Sequence, residues 1–225
     1  MTTKPEAEIG HEKFLAKLEN ALLKRELENI QTAYLFAKYG HRGQQRHNGV
    51  RYFEHPRAVA EIVIKELRLK NDWRIIVLAL LHDILEDSWL LTEYRLERNF
   101  GRKVALWVKL LTKQPKDGYH ERLKQAPWQV LLIKLCDRLH NLRTLEHCDE
   151  AKQRKQVLET CELYLPLADI LIARLPKRSR WRGKYLKENI ASICAHFESR
   201  LKITDTGCPK EDELAERARS ASSGS

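Results

Sequence analysis

Residues 79–88 read ALLHDILEDS and set His82, Asp83, Glu86 and Asp87 into an oily run that begins at Ile75. Charged side chains buried among leucines cost several kcal/mol unless partners compensate them. Any fold open to this chain must therefore bring compensating groups to that segment. On a helix, His82 and Glu86 share one face, while Asp83 and Asp87 share the neighbouring face about 100° round. A divalent cation is the simplest group that satisfies an imidazole and several carboxylates together.

A metal needs more ligands than His82 and Asp83 supply. Two other positions qualify: His55, just before Pro56 at the mouth of a glycine-rich loop, and Asp137, inside the apolar stretch IKLCDRLHN. Asp137, Asn141 and Thr144, at i, i+4 and i+7, form a polar stripe on a helix whose other face is leucine. The two polar stripes are expected to face each other across a cleft. Two imidazoles and two carboxylates leave positions open for water and substrate, and suit Mn²⁺, Fe²⁺ or Zn²⁺ better than a closed structural site does. Taken singly each residue is weak, since a histidine before proline is commonly a cap and an Asp-Arg pair commonly a surface ion pair. The weight lies in the joint pattern.

Helical periodicity dominates, and no run of alternating β-branched residues appears, so the fold is expected to be all-α. One or two amphipathic helices are predicted over 14–38, then a loop over 40–54, then a helix from about Pro56 to Leu67. Asn71 or Asp72 is expected to cap a helix running from Trp73 to Asp87. Thr92 opens a helix closed by Gly101, and another follows from about Arg102 to Thr112. Residues 113–125 read as a mobile surface loop. A long helix from about Pro127 to His147 buries Trp128, Leu132, Leu135, Leu139 and Leu142 on one face. Residues 151–175, interrupted by Pro166, and 186–201 supply the last helices.

With 225 residues, 43% of them hydrophobic, the chain can build a sizeable core. No apolar run is long enough to span a bilayer, and the N-terminus has no signal-peptide core, so a cytoplasmic protein without a membrane partner is expected. The five cysteines are widely spaced without a C-x-x-C pair and read as free thiols. A net charge of +10 favours anionic partners. The densest basic stretch, KRSRWRGKYLK at 177–187, reads as a solvated connection between helices, and nucleic acid is not expected as a partner.

Five segments together resemble the HD-superfamily hydrolase domain of RelA/SpoT-type alarmone enzymes, and most closely the stand-alone small alarmone hydrolases. They are HRGQQRHNGVRYFEHP (41–56), LLHDILEDS (80–88), FGRKVALWVKLLTK (100–113), IKLCDRLHNLRTL (133–145) and ETCELYLPLA (159–168), in the family's order. The resemblance covers roughly residues 30–175 and implies a compact multi-helix domain, expected over 30–203 with 1–29 as an N-terminal helix and lead-in, while 204–225, polar throughout, reads as a disordered tail. It implies Mn²⁺-dependent removal of the 3′-pyrophosphate from ppGpp or pppGpp, giving GDP or GTP, as in the stringent response. By motif, His55, His82, Asp83 and Asp137 hold the metal, and Glu86 with Asp87 form the catalytic acidic pair. Arg46 packs on the purine, Asn48 contacts the base, and Asn141, Thr144 and Tyr164 line the nucleoside side. Lys113 and Lys116 are placed to neutralise a diphosphate. Where the family commonly reads Arg-Lys-Ser-Gly-Glu-Pro-Tyr, this chain reads Arg46 to Tyr52 as RHNGVRY. That departure bears on base choice and keeps (pp)pApp hydrolysis, and NADPH 2′-phosphatase activity, as alternatives.

Overall fold

The seven residues from Ile75 to Leu81 have no polar face to turn to water, and in the computed structural model all seven are fully buried. A helix that is hydrophobic all round belongs in a core. The structure describes residues 6–47, 49–88, 91–113 and 116–203, without the side chains of 6–9 and Asp87. Among these residues there is no strand, only an isolated antiparallel bridge between Gln45 and Arg51. The chain divides into two compact units, Met1–Tyr119 and His120–Ser225.

In the first unit, α1 (Glu6–Ala16) and α2 (Lys24–Gly40) lead through a short hairpin-like loop into α3 (Glu54–Glu61), which continues as a π-helical turn over Ile62–Glu66. The central helix α4 (Trp73–Leu81) packs against α2, α3 and α7. Asp72 caps it, accepting the Arg74 N–H at 3.2 Å. A four-residue helix α5 (Ile84–Asp87) follows, then α6 (Glu93–Phe100) and α7 (Arg102–Leu111), hinged at Gly101 with φ 84°. Thr92 caps α6 as expected.

The predicted single helix from Trp73 to Asp87 is interrupted at His82 and Asp83, which form a turn. The cause is local. His82 Nδ1 donates to the Ala79 carbonyl at 2.9 Å, the acceptor that the Asp83 N–H needs to continue the helix. Residues 113–125 also differ from a plain loop, because α8 (Tyr119–Gln125) occupies their second half. Tyr119 is buried and donates its hydroxyl to the Leu111 carbonyl at 2.9 Å, which ties the segment down.

In the second unit, α9 (Trp128–Arg143), α10 (Glu150–Glu159), α11 (Leu165–Arg174) and α12 (Arg180–Leu201) pack together, with α12 touching the other three. Leu132, Leu135, Leu139 and Leu142 are buried on α9 as predicted, whereas Trp128 is only half-buried. Pro166 does not interrupt a helix. It stands in the first turn of α11, after a π-helical segment over Thr160–Tyr164, where a missing N–H costs little. The last helix begins at Arg180 rather than near Leu186, so most of the basic stretch 177–187 is helical.

Cys136, Cys148 and Cys194 are free thiols. Cys161 is disulfide-bonded, which corrects the reading of five free thiols, since wide spacing in sequence does not keep sulfurs apart in a fold. Cys208 lies outside the described residues. Burial, with Glu198 nearby, pushes the Cys194 thiol from its ordinary 9.0 up to about 12. The folded state therefore holds the neutral thiol, and this contribution to stability is complete below pH 9.0 and lost as pH rises towards about 12. Cys194→Ala should show a flatter fall of Tm across that window than the parent protein. Identical slopes would remove Cys194 as the cause.

Candidate metal and nucleotide site

The first unit assembles its polar groups around the turn that ends α4. His55 stands in the first turn of α3, and its ring is buried beside that of His82, with the two Nε2 atoms 3.2 Å apart. The hydrogen-bond partners assign the protons. Arg46 Nη1 donates to His55 Nδ1 at 3.2 Å, so neutral His55 carries its proton on Nε2 and offers it to His82. His82 accepts, because its own proton sits on Nδ1 and bonds Ala79. The His82 Nε2 lone pair therefore points into a buried polar pocket, the state in which imidazole ligates a metal.

Asp83 is buried against the same rings. Its Oδ2 lies 3.7 Å from His82 Nε2 and its Oδ1 lies 3.2 Å from Nε2 of His41. The contact with His41 is the closer of the two and helps hold the carboxylate charged, although neither meets strict hydrogen-bond alignment among the described residues. Burial alone pushes this carboxyl's pKa up, but His82, His41 and His55 together hold it well below the usual carboxylate range. The folded protein thus keeps an ionised carboxylate among three imidazole rings. That donor set fits a divalent transition metal.

His41 was missed by sequence reasoning, although it opens the segment HRGQQRHNG. Its side chain is fully buried, and Nδ1 contacts Gln44 Oε1 at 2.8 Å. The only available signal was a histidine at a helix end beside a glycine. Gly40 explains its position: a Cβ there would meet Ile84 Cδ1 at 2.6 Å and Ser88 Oγ at 3.2 Å. A larger residue at the end of α2 would push the Ile84 and Ser88 side chains aside.

The acidic pair is less complete. Glu86 is exposed on α5, and its Oε1 accepts the backbone N–H of Lys113 at 2.5 Å. Because the helix breaks at Asp83, Glu86 and His82 do not share a continuous helical face, contrary to the expectation. Asp87 belongs to α5, but its side chain lies outside the described residues, as does the whole of Asn48. Lys113 and Lys116 are exposed.

In the second unit Asp137 is buried on α9 and doubly engaged. Lys134 Nζ reaches Oδ2 at 2.9 Å and Asn141 Nδ2 donates to Oδ1 at 2.6 Å. The polar stripe is real over Asp137 and Asn141, but the Thr144 hydroxyl turns back to its own helix, at 3.2 Å from the His140 and Asn141 carbonyls. Arg138 is no surface partner of Asp137. It is buried, stacks 3.7 Å over the Tyr164 ring and binds Glu159 at 3.0 Å. Burial lowers its pKa, and Tyr164 with Glu159 more than reverses that. The Tyr164 hydroxyl is buried beside Arg138. Lys134 and Arg138 were also missed, because a cation amid leucines gives no sign in sequence of which way it turns.

A family model described as an HD domain matches residues 33–171. A protein named GTP pyrophosphokinase from Myxococcus xanthus is 40% identical over 227 residues, covering 83% of this chain and 29% of its own length. The bifunctional (p)ppGpp synthase/hydrolase SpoT of Escherichia coli K12 is 35% identical over 165 residues, covering 67% of this chain and 23% of its own. The chain thus spans between a fifth and a third of these curated relatives. A solved structure, described as a metazoan ortholog of SpoT that hydrolyzes ppGpp, shares the fold at TM-score 0.57 and 24% identity, over 76% of this chain and 95% of that one. On these matches the chain belongs to the HD-domain family, of the RelA/SpoT type.

Proposed function

We propose that this protein is a metal-dependent phosphohydrolase that removes the 3′-pyrophosphate of ppGpp or pppGpp, releasing GDP or GTP. The observation that carries the reading is the buried pocket in which the His82 lone pair faces His55 Nε2, 3.2 Å away, beside an ionised Asp83. The relatives' names support the substrate: SpoT is a (p)ppGpp synthase/hydrolase, and the matched region here is the HD domain. No described helix is long and apolar enough to cross a membrane.

His55, His82, Asp83 and Asp137 hold one divalent ion in this reading, and His55, His82 and Asp137 are each buried groups able to serve. When bound, a divalent ion, with Mn²⁺ as the expected one, lowers the pKa of water at the site towards neutrality. To serve as a ligand through Nε2, His55 would carry its proton on Nδ1 instead, and Arg46 would then no longer donate to Nδ1. Arg46 is then available to pack on the purine. Glu86, fixed by the Lys113 backbone, and Asp87 orient the attacking water and pass a proton to the departing ribose oxygen. Asn48, Asn141, Thr144 and Tyr164 line the nucleoside side, and the exposed Lys113 and Lys116 offset charge on the diphosphate.

The test incubates purified protein and Mn²⁺ with ppGpp, ppApp and NADPH in parallel. Pyrophosphate release from ppGpp that stops with chelator supports the proposal. Faster cleavage of ppApp or NADPH assigns the same site to the adenine nucleotides that the departure at His47 to Tyr52 leaves open, and silence on all three overturns it. A companion prediction concerns His41, which braces Asp83 from behind. His41→Ala should weaken Mn²⁺ binding by about 10- to 100-fold, read by competition with a metal indicator. If Tm falls while metal affinity holds, His41 serves packing alone.

A further inference from the structure

A cavity of about 490 Å³ opens on the first unit between the end of α2 and the 41–53 loop. Its lining includes Lys38, Arg42 and Arg51 and no carboxylate, with Tyr39 and Phe53 as aromatic walls and Gln45 as a neutral polar one. None of Arg46, His55, His82, Asp83 or Glu86 belongs to it. A smaller cavity of about 180 Å³ shares Lys38, Arg51 and Phe53 with it and adds Arg57 together with the carboxylate of Glu54. Small-molecule sites are clefts of roughly this size with a few convergent polar groups.

The charges are out of balance. Glu54 is matched already, to Arg51 at 2.8 Å and to Arg57 at 2.5 Å. Lys38 has only the Tyr39 ring, at 5.7 Å, as a partner, and neither Lys38 nor Arg42 has a carboxylate in ion-pair reach among the described residues. Two uncompensated cations and a third, half-compensated one thus converge on a concave surface beside an exposed ring. Such an arrangement favours a compact polyanion, because phosphate oxygens accept several charge-assisted hydrogen bonds at once.

We infer that this cavity is a second anion site, separate from the proposed catalytic pocket, that takes a diphosphate group, either free or carried by a nucleoside stacked on Tyr39. The site has a direct line to the metal pocket. His41 forms part of the cavity wall, and its Nε2 lies 3.2 Å from Asp83 Oδ1. The His41 ring itself is buried behind that wall, so a ligand reaches Asp83 by shifting the segment that carries His41. In the alarmone-hydrolase reading, on which this link to turnover rests, the diphosphate is also what the reaction releases, so the site senses product.

The binding claim is tested apart from catalysis. Pyrophosphate, GDP and guanosine are titrated calorimetrically into full-length, chelator-treated protein, into Asp83→Ala and into Lys38→Gln/Arg42→Gln. Pyrophosphate should bind the parent and Asp83→Ala alike and weaken about tenfold or more in the double variant, with guanosine alone not binding. GDP binding more tightly than pyrophosphate identifies a nucleotide as the ligand, and equal affinity identifies the free diphosphate; both support the site. Undiminished binding in the double variant, or none in the parent, overturns it. An inactive enzyme that still binds pyrophosphate through Lys38 and Arg42 refutes the catalytic reading and leaves the anion site standing.

Discussion

Asp83→Ala should lower Mn²⁺-dependent turnover of ppGpp by about 1,000-fold or more, because the metal's contribution to the barrier amounts to several kcal/mol. The residue is suited to show this. Its carboxylate is buried and held ionised by the three surrounding imidazoles, and the proposed function makes it a metal ligand. Asp83→Asn keeps the shape and loses the charge, and should be nearly as damaging. Circular dichroism of both variants separates lost chemistry from lost fold. Near-normal turnover in a folded Asp83→Ala protein, or turnover that survives chelation, would end the metal mechanism.

The largest effect on stability is expected at Lys134. The ammonium and the Asp137 carboxylate are both almost excluded from water, 2.9 Å apart, so removing one strands the other. Breaking a buried pair costs about 3 to 5 kcal/mol, whereas replacing both partners by uncharged groups is often close to neutral. Lys134→Met should therefore lower Tm on the order of 10 °C. Lys134→Met/Asp137→Asn should recover most of that loss. Mn²⁺ adds a second reading: if Asp137 is a ligand, saturating metal should raise the Tm of the single variant more than that of the double, by supplying the missing positive charge. Equal metal responses would place Asp137 outside the metal set even if the stability figures hold.

Each prediction involves a carboxylate that stood out beforehand, Asp83 in the first and Asp137 in the second, although Lys134 itself did not. His55, His82, Asp83 and Asp137 stood out as ionisable groups in apolar or loop-end settings, and the structure buries all four. The helical class, the Asp72 and Thr92 caps and the leucine face of α9 were legible from the 3.6-residue period and from polar residues at helix starts. What escaped notice was set by contacts between distant segments. His41 gains meaning only when Gly40 lets α2 approach α5. Lys134 and Arg138 become structural because their carboxylates and the Tyr164 ring lie on the inner side of α9. The break after Leu81 was hidden because a pattern of apolar residues cannot show a side chain competing for a backbone carbonyl.

The sequence by itself determined the all-helical class, the burial of 75–81 and the need for charge compensation at His82 and Asp83, since these follow from local periodicity and the cost of burying charge. Only the tertiary structure decided which groups do the compensating, which nitrogen of each imidazole carries the proton and where cations without a carboxylate partner gather. Those outcomes depend on distances of about 3 Å between residues dozens of positions apart, and hydrogen bonding is too short-ranged and directional to be read from spacing along a chain.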